Sequence, residues 1–129
     1  MANYTKKNLR EVEDAAVKGG FSETQEARFA NSDLGTEQTG VSYHVVKAGK
    51  QQGFGHRHEE AEEVYVVVGG SGRIKLDDEL IDVGPFDAFR IGPEVARSLE
   101  AGDEDLEYLA FGARNSEDRG EVLPDFWTD

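Results

Sequence analysis

Residues 53–70 read GFGHRHEEAEEVYVVVGG. The two histidines of this stretch, His56 and His58, stand two positions apart. On a β-strand that spacing places both imidazoles on one face, where they can converge on a single ion. The apolar run and the glycines that follow are typical of a second strand that ends in a hairpin turn. The stretch therefore predicts two successive strands, the first of which carries a pair of candidate metal ligands.

Short apolar runs continue through most of the chain after Gly40. They are rich in Val, Ile, Phe and Tyr, and Gly or Asp turns separate them about every ten residues, which is typical of an all-β sandwich or barrel. A further edge strand is predicted at 27–30. The predicted strands of the main run are 41–47, 54–58, 62–68, 72–77, 79–83, 87–91, 96–100 and 105–111.

Two segments flank the predicted strands. Apolar residues recur at three- and four-residue spacing within 8–17, which predicts a short helix ended by the glycine pair 19–20; an extended arm is the alternative. The tail is mostly polar from Asn115 until Phe126 and Trp127. We expect these two aromatic residues to fold back over an apolar patch.

The composition indicates an acidic, soluble domain. The chain has 129 residues, with 27 Asp and Glu against 14 scattered Lys and Arg, and a formal charge of −13. Nucleic acid and anionic membranes are therefore poor partners. There is no cysteine, and no apolar stretch approaches the roughly 20 residues of a membrane span, so we expect a cytoplasmic protein. The excess of acid fits either simple solubility or adaptation to high salt.

A histidine pair becomes a better metal site when a carboxylate joins it. Glu62 and Glu63 are the candidates, and strand alternation would put Glu63 on the same face as Tyr65 and Val67. Two histidines and one carboxylate on one face leave coordination positions open for substrate or dioxygen. Tyr65 is expected to face the same site.

The spacing of these residues resembles the first motif of the cupin superfamily. In that motif a glycine-led strand carries H-x-H, x3 or x4, E, x6, G, and the chain matches it at His56, His58, Glu63 and Gly70. The resemblance implies that His56, His58 and Glu63 bind a divalent transition metal, namely iron, manganese, nickel, copper or zinc. It also implies a homodimer.

The same resemblance implies the fold. We expect a double-stranded β-helix, also called a jelly-roll or cupin barrel, in one domain over residues 1–129. Its core would cover about 40–112, preceded by an N-terminal arm or helix over 1–39 and followed by a tail over 113–129.

The second cupin motif is matched less well. Residues 85–97 read PFDAFRIGPEVAR against the family pattern P-G-D-x-x-x-ϕ-P-x-G-x-x-H, where ϕ is an apolar residue. Asp87 and Ile91 fit, but Arg97 stands where the family has a metal-binding histidine. Arginine keeps its charge in proteins and has no lone pair to offer, so it cannot be a metal ligand.

Arg97 therefore leaves three hypotheses open. It can face a metal-loaded pocket and recruit an anion through its guanidinium fork. It can instead pair with Glu63 in a metal-free barrel, or point outward to the acidic surface. His44 could supply a third imidazole, although a lone histidine on a strand is more often a structural residue.

The resemblance, together with Arg97, implies a small metallocupin that acts on a small anionic or carbonyl-bearing molecule. Glu63 or Tyr65 would move a proton, and Arg97 and Tyr65 would contact the substrate. The reaction type stays open between dioxygenase, isomerase and lyase, because this barrel does not fix the chemistry. The alternative is a metal-free module that binds or senses a small ligand, with an Arg97–Glu63 pair in place of the metal.

Overall fold

A computed structural model describes residues 3–114 and 120–128, so residues 1–2, 115–119 and 129 of the predicted arm and tail lie outside the described residues. The described chain is mostly β-structure, with a 3-10 turn at Leu9–Glu11 and two short helices, α1 (Ala15–Gly19) and α2 (Asn31–Leu34). The strands are β1 (Gln25–Phe29), β2 (Thr39–Val46), β3 (Gly55–Arg57), β4 (Glu63–Gly69), β5 (Gly72–Leu76), β6 (Glu79–Val83), β7 (Ala88–Ile91), β8 (Arg97–Ala101), β9 (Leu106–Ala113) and β10 (Glu121–Leu123).

The strands form two antiparallel sheets of five. The first has the order β1-β2-β9-β4-β7 and the second the order β10-β3-β8-β5-β6. Their inner faces share one apolar core, in which Tyr65 and Leu106 of the first sheet are buried together with Ile74 and Leu99 of the second. The predicted all-β jelly-roll fold is confirmed. Strands also lie outside the predicted core range of 40–112, since β1 and β10 extend the two sheets at their edges.

All eight predicted strands of the main run are present, and the edge strand predicted at 27–30 is β1. Their ends agree with the predicted ends to within two residues. Strand alternation in β4 is also as predicted, because Tyr65 and Val67 are 3% and 1% exposed while Val64 and Val68 are 36% and 38% exposed. Glu63 shares the inward parity of Tyr65.

The helix predicted over 8–17 is not continuous. A 3-10 turn ends at Glu11, and α1 begins at Ala15 because the Asp14 carboxylate accepts a hydrogen bond from the Ala16 amide and caps the new helix. The same carboxylate oxygen accepts from the Ala27 amide on β1, a contact distant in sequence. Gly20 ends the helix in the left-handed region, as the glycine pair predicts.

The C-terminal tail folds back over the second sheet. Its strand β10 pairs with β3, the Phe126 ring lies against Gly55 and Lys75, and the Trp127 indole donates a hydrogen bond to Ser98 Oγ at 2.9 Å. The predicted fold-back is therefore observed. The contacts found for the two rings are with Gly55, Lys75 and Ser98, and the apolar patch stays a prediction.

None of the helices in the described ranges is long and apolar enough to cross a membrane.

Gly70 gives a direct test of the turn after β4. Its φ is +72°, and an added Cβ would lie 2.0 Å from the carbonyl oxygen of Asp105. We predict that Gly70→Ala lowers the free energy of unfolding by at least about 2 kcal/mol, because it combines a strained backbone with a backbone clash. Gly84→Ala is the matched control, since a Cβ there meets nothing within 4 Å. Urea denaturation followed by circular dichroism compares them, and equal midpoints would contradict the prediction.

Candidate metal centre

His56, His58 and Glu63 converge inside the barrel. His56 lies on β3 and His58 just after it, whereas Glu63 begins β4 of the other sheet. The Nε2 atoms of His58 and His56 lie 3.4 Å and 3.8 Å from the same oxygen, Glu63 Oε1. One ligand atom from each residue lies within 4.8 Å of the other two. The structure thus brings the three predicted metal ligands together.

The spacing and chemistry of these ligand atoms fit a divalent metal. Ligands about 2.1 Å from a tetrahedral ion lie about 3.4 Å from one another, which is close to the separations of both Nε2 atoms from Glu63 Oε1. Glu63 Oε1 is buried and has no hydrogen-bond partner among the described residues. A buried polar atom normally has such a partner, so the oxygen is free to bind an ion. Glu62, the other candidate, instead pairs with Arg90 at 3.2 Å, and both side chains are exposed.

The strand that carries the histidines is short and is supported by the tail. A single residue pair, His56 with Arg97, joins β3 to β8, whereas three pairs join β3 to β10. The Phe126 ring packs against Gly55 so closely that an added Cβ would lie 2.5 Å from it. Glu121 of β10 also holds Arg57 through a paired salt bridge. The tail therefore helps to fix the position of the ligand strand.

The electrostatics of Glu63 favour a metal ligand over a base. Burial alone would raise the pKa of the Glu63 carboxyl, but the facing imidazoles of His56 and His58 outweigh burial and hold that pKa well below its usual range. The carboxylate therefore stays ionised at neutral pH. A carboxylate with so low a pKa is a weak proton acceptor, which argues against general-base chemistry at this residue.

Arg97 is buried beside this group. Its side chain is 0% exposed, so the outward orientation that the sequence allowed is wrong. Nη2 donates to the Gly92 carbonyl at 3.0 Å, and Nη1 lies 3.6 Å from Glu63 Oε1. Nη1 and Nε have no hydrogen-bond partner among the described residues. The guanidinium thus acts on Glu63 as a nearby positive charge rather than as a hydrogen-bond donor.

A cavity of about 250 Å³ adjoins the three ligands. His56, His58, Glu63 and Tyr65 line one part of it, and its wall also includes Phe54. Arg97 is not among the residues that line this cavity. A larger groove of about 640 Å³, which includes Glu62, touches none of the three ligands and is therefore separate from the metal centre.

Tyr65 faces the cavity, as its parity with Glu63 predicts. Its hydroxyl lies 3.4 Å from His56 Nε2, and its ring stacks on Tyr108 at 5.0 Å between centroids. Burial, together with the neighbouring Tyr108 and Glu63, raises the pKa of the Tyr65 phenol well above its usual value. Tyr65 is therefore a neutral hydroxyl that can donate a hydrogen bond into the cavity.

Comparison with protein families identifies the barrel. Residues 42–112, more than half of the chain, match the family model described as Cupin domain. The chain belongs to the cupin family. No curated protein sequence matches this cupin.

Solved structures share the fold of this cupin. A cupin protein from Bacteroides fragilis is 24% identical with a TM-score of 0.72, over 100% of this chain and 99% of that one. The polyketide cyclase RemF from Streptomyces resistomycificus is 18% identical with a TM-score of 0.75, over 97% and 87%. A sugar phosphate isomerase from Silicibacter pomeroyi is 19% identical with a TM-score of 0.68, over 86% and 76%. These similarities establish the fold, whereas any statement about the reaction must rest on the residues of the site.

Polar groups that the sequence did not single out also line the cavity of this cupin. Gln52 is buried and donates to the Tyr108 hydroxyl at 2.8 Å, while its own oxygen accepts from the Leu99 amide. Ser42 lines the cavity two residues before His44, on the same face of β2. No local sequence pattern marks Gln52, because its partners come from distant strands. Ser42 could have been found from its parity with His44.

His44 lies in the cavity but outside the metal group. Its ring stacks on Tyr108 at 4.7 Å, and its Nε2 lies 2.7 Å from Ser42 Oγ. The group of ligand atoms found in the described residues contains His56, His58 and Glu63 and does not include His44. Burial, with a smaller contribution from His56, lowers the pKa of His44 to about 4. His44 is therefore an uncharged imidazole at neutral pH.

The lowered pKa of His44 predicts a loss of stability in mild acid. The ordinary pKa of the group is 6.5, so between that value and about 4 the unfolded chain binds a proton that the folded protein does not. Stability contributed by the neutral ring is present above pH 6.5 and falls as the pH is lowered through this window. At roughly pH 5 the loss due to His44 is on the order of 2 kcal/mol relative to roughly pH 7.5.

The variant His44→Phe isolates this effect, because it keeps an aromatic ring beside Tyr108 and removes the titration. Urea denaturation at the two pH values gives the free energy of unfolding of each protein. We expect the acid-induced loss to be smaller in the variant by about the amount given above. An equal loss in both proteins would contradict the assignment of this acid sensitivity to His44.

Proposed function

We propose that this cupin binds a divalent transition metal through His56, His58 and Glu63. The observation that carries the proposal is the convergence of both Nε2 atoms on one buried carboxylate oxygen that has no hydrogen-bond partner among the described residues. Two neutral nitrogen ligands and one oxygen ligand suit iron, manganese, nickel, copper or zinc. A metal held by these three residues would keep further coordination positions open to a small molecule.

We further propose that the cavity takes a small molecule with an anionic or carbonyl oxygen, on which the protein acts as an oxidoreductase, isomerase or lyase. A divalent metal in such a site supplies Lewis-acid or redox chemistry. The chain itself contributes the ionised Glu63 as a ligand and the Tyr65 hydroxyl as a hydrogen-bond donor beside His56. Similar folds occur in an isomerase and a cyclase, which supports an enzymatic role without selecting the reaction.

The position of Arg97 changes its proposed part in this function. An arginine that gripped the substrate would line the cavity, and Arg97 does not. Its charge instead lies 3.6 Å from Glu63 Oε1, where it favours the ionised carboxylate and fixes its position. We therefore propose Arg97 as a positioning residue that acts through Glu63. A metal held by His56, His58 and Glu63 would supply the positive charge that attracts an anionic oxygen.

A metal-free binding module is the second candidate function. The same approach of Arg97 Nη1 to Glu63 Oε1 favours it, because the guanidinium can neutralise a buried carboxylate without an ion. In that case the cavity would hold a small ligand without turnover. The predicted homodimer, the cytoplasmic location and the division into a single domain with arm and tail stay predictions under either function.

Metal content distinguishes the two candidate functions. Full-length protein, the double variant His56→Ala/His58→Ala and the control His44→Ala are each incubated with Mn²⁺ or Zn²⁺, desalted and measured by elemental analysis. We expect about one equivalent of metal in the wild type and in His44→Ala, and almost none in the double variant, because it loses two of three ligands. Equal trace amounts in all three proteins would reject the metal site and favour the binding module.

A further inference from the structure

Ser42 and His44 form a second polar group in the cavity, apart from the metal ligands. Both lie on β2 and pair with Ala110 and Tyr108 of β9, whose side chains belong to the buried core. Both side chains therefore point into the barrel, and both line the cavity. Ser42 Oγ and His44 Nε2 are 2.7 Å apart, a hydrogen bond in either tautomer of the ring.

The orientation of the His44 ring is fixed from two sides. It lies nearly parallel to Tyr108, with 10° between the ring planes, and Phe29 meets it edge-on at 84°. Ser42 Oγ contacts the Nε2 atom of this ring. Within residues 3–114 and 120–128, no hydrogen bond to the other ring nitrogen, Nδ1, is found. A ring held in this way presents Nδ1 in a defined direction, either as an acceptor or as a donor.

The residues that line the cavity near Ser42 and His44 favour an uncharged group of the ligand. No lysine or arginine is among the described residues that line it, and Glu63 is the single carboxylate in that lining. His44 itself is neutral at physiological pH, because burial lowers its pKa to about 4. A carboxylate or ammonium group of a ligand would therefore find no counter-charge beside Ser42 and His44. A hydroxyl or carbonyl oxygen would find a donor or an acceptor.

The size and the walls of the cavity define the rest of the ligand. Phe29, Phe54 and Ala27 contribute apolar wall to the cavity. A cavity of about 150 Å³ is sufficient for benzene, so the volume of about 250 Å³ accommodates a single six-membered ring with a few oxygen substituents. One ring, Tyr108, separates His44 from Tyr65, whose hydroxyl lies beside His56. A small compound can therefore reach both polar ends.

We propose that Ser42 and His44 form a second subsite that hydrogen-bonds an uncharged hydroxyl or carbonyl oxygen of a small ring compound, while another oxygen of that compound faces His56, His58 and Glu63. This proposal deepens the proposed function of the same cavity and rests on it for the second oxygen. The Ser42–His44 contact itself requires no metal.

The test uses two ring compounds that differ by one oxygen, phenol and hydroquinone, under anaerobic conditions. Ligand-observed NMR titrations give the dissociation constants with the full-length protein after its metal has been removed with EDTA, and again after loading with Zn²⁺. We expect the wild type to bind hydroquinone about three- to tenfold more tightly than phenol in both states, the ratio that one net hydrogen bond gives.

Two variants examine the subsite separately. His44→Phe keeps the aromatic packing and removes the hydrogen-bonding nitrogens, and Ser42→Ala removes a single oxygen atom. Both should lose the preference for hydroquinone over phenol and keep their metal content. Tyr4→Ala is the control, since this tyrosine is 81% exposed and should leave the ratio unchanged.

The outcomes separate this subsite from the metal site. A preference for hydroquinone that persists in both variants, or that is absent from the wild type, overturns the subsite whatever the metal content. A wild type that retains no metal but shows the preference, with its loss in the variants, supports the subsite and rejects the metal function instead.

Discussion

A single buried carboxylate oxygen, Glu63 Oε1, lies where the two sheets of the barrel meet at the site. Three nitrogen-bearing side chains approach it within 4 Å: His58, His56 and Arg97. A charge in the interior is costly unless opposite charges or an ion compensate it. The strands that carry the compensating groups must therefore be positioned so that these groups reach Glu63 Oε1. In the observed register, His56 on β3 stands directly opposite Arg97 on β8, and Glu63 enters from β4 of the other sheet.

This cupin has Arg97 where the family pattern has a metal-binding histidine, yet His56, His58 and Glu63 still lie close together. An arginine in place of a fourth ligand removes one coordination bond and adds a positive charge next to Glu63. With a metal present, the local charge is positive and suits an oxygen ligand with negative character. Without a metal, the arginine and the glutamate cancel. The formal charge of −13 therefore describes the exterior and gives no guide to the sign of the ligand.

The strands and the grouping of the three candidate metal ligands could be predicted from the sequence, because both follow from the spacing of residues along the chain. Alternation along β4 places Glu63 and Tyr65 on one face, and the two-residue spacing directs His56 on β3 and His58 just after it to the same site. The features that were missed depend on contacts between distant residues. The break before α1 lies at Asp14, whose carboxylate caps α1 and also accepts from the Ala27 amide on β1, and Asn31 of the unpredicted α2 accepts a hydrogen bond from the Val41 amide.

The surroundings of the cavity also depend on contacts between residues that are distant in the sequence. The motif marks Arg97 as the important departure, but its burial and its absence from the cavity wall depend on how β8 packs beside β3. Gln52 was missed because its partners, Tyr108 and Leu99, are brought to it by other strands. The aromatic residues of the tail predict that it folds back, yet its support of the histidine strand through β10 could not be read from composition. Local pattern thus locates the ligands, and tertiary packing determines their surroundings.

The central claim is that His56, His58 and Glu63 together bind one metal ion. X-ray absorption spectroscopy at the zinc edge, on full-length protein loaded with one equivalent of Zn²⁺, tests it most directly. The account predicts two imidazole nitrogens and a carboxylate oxygen at about 2.0–2.2 Å, with outer-shell imidazole scattering that disappears in the His56→Ala/His58→Ala variant. A spectrum without imidazole scattering, or one that the double variant leaves unchanged, would contradict it.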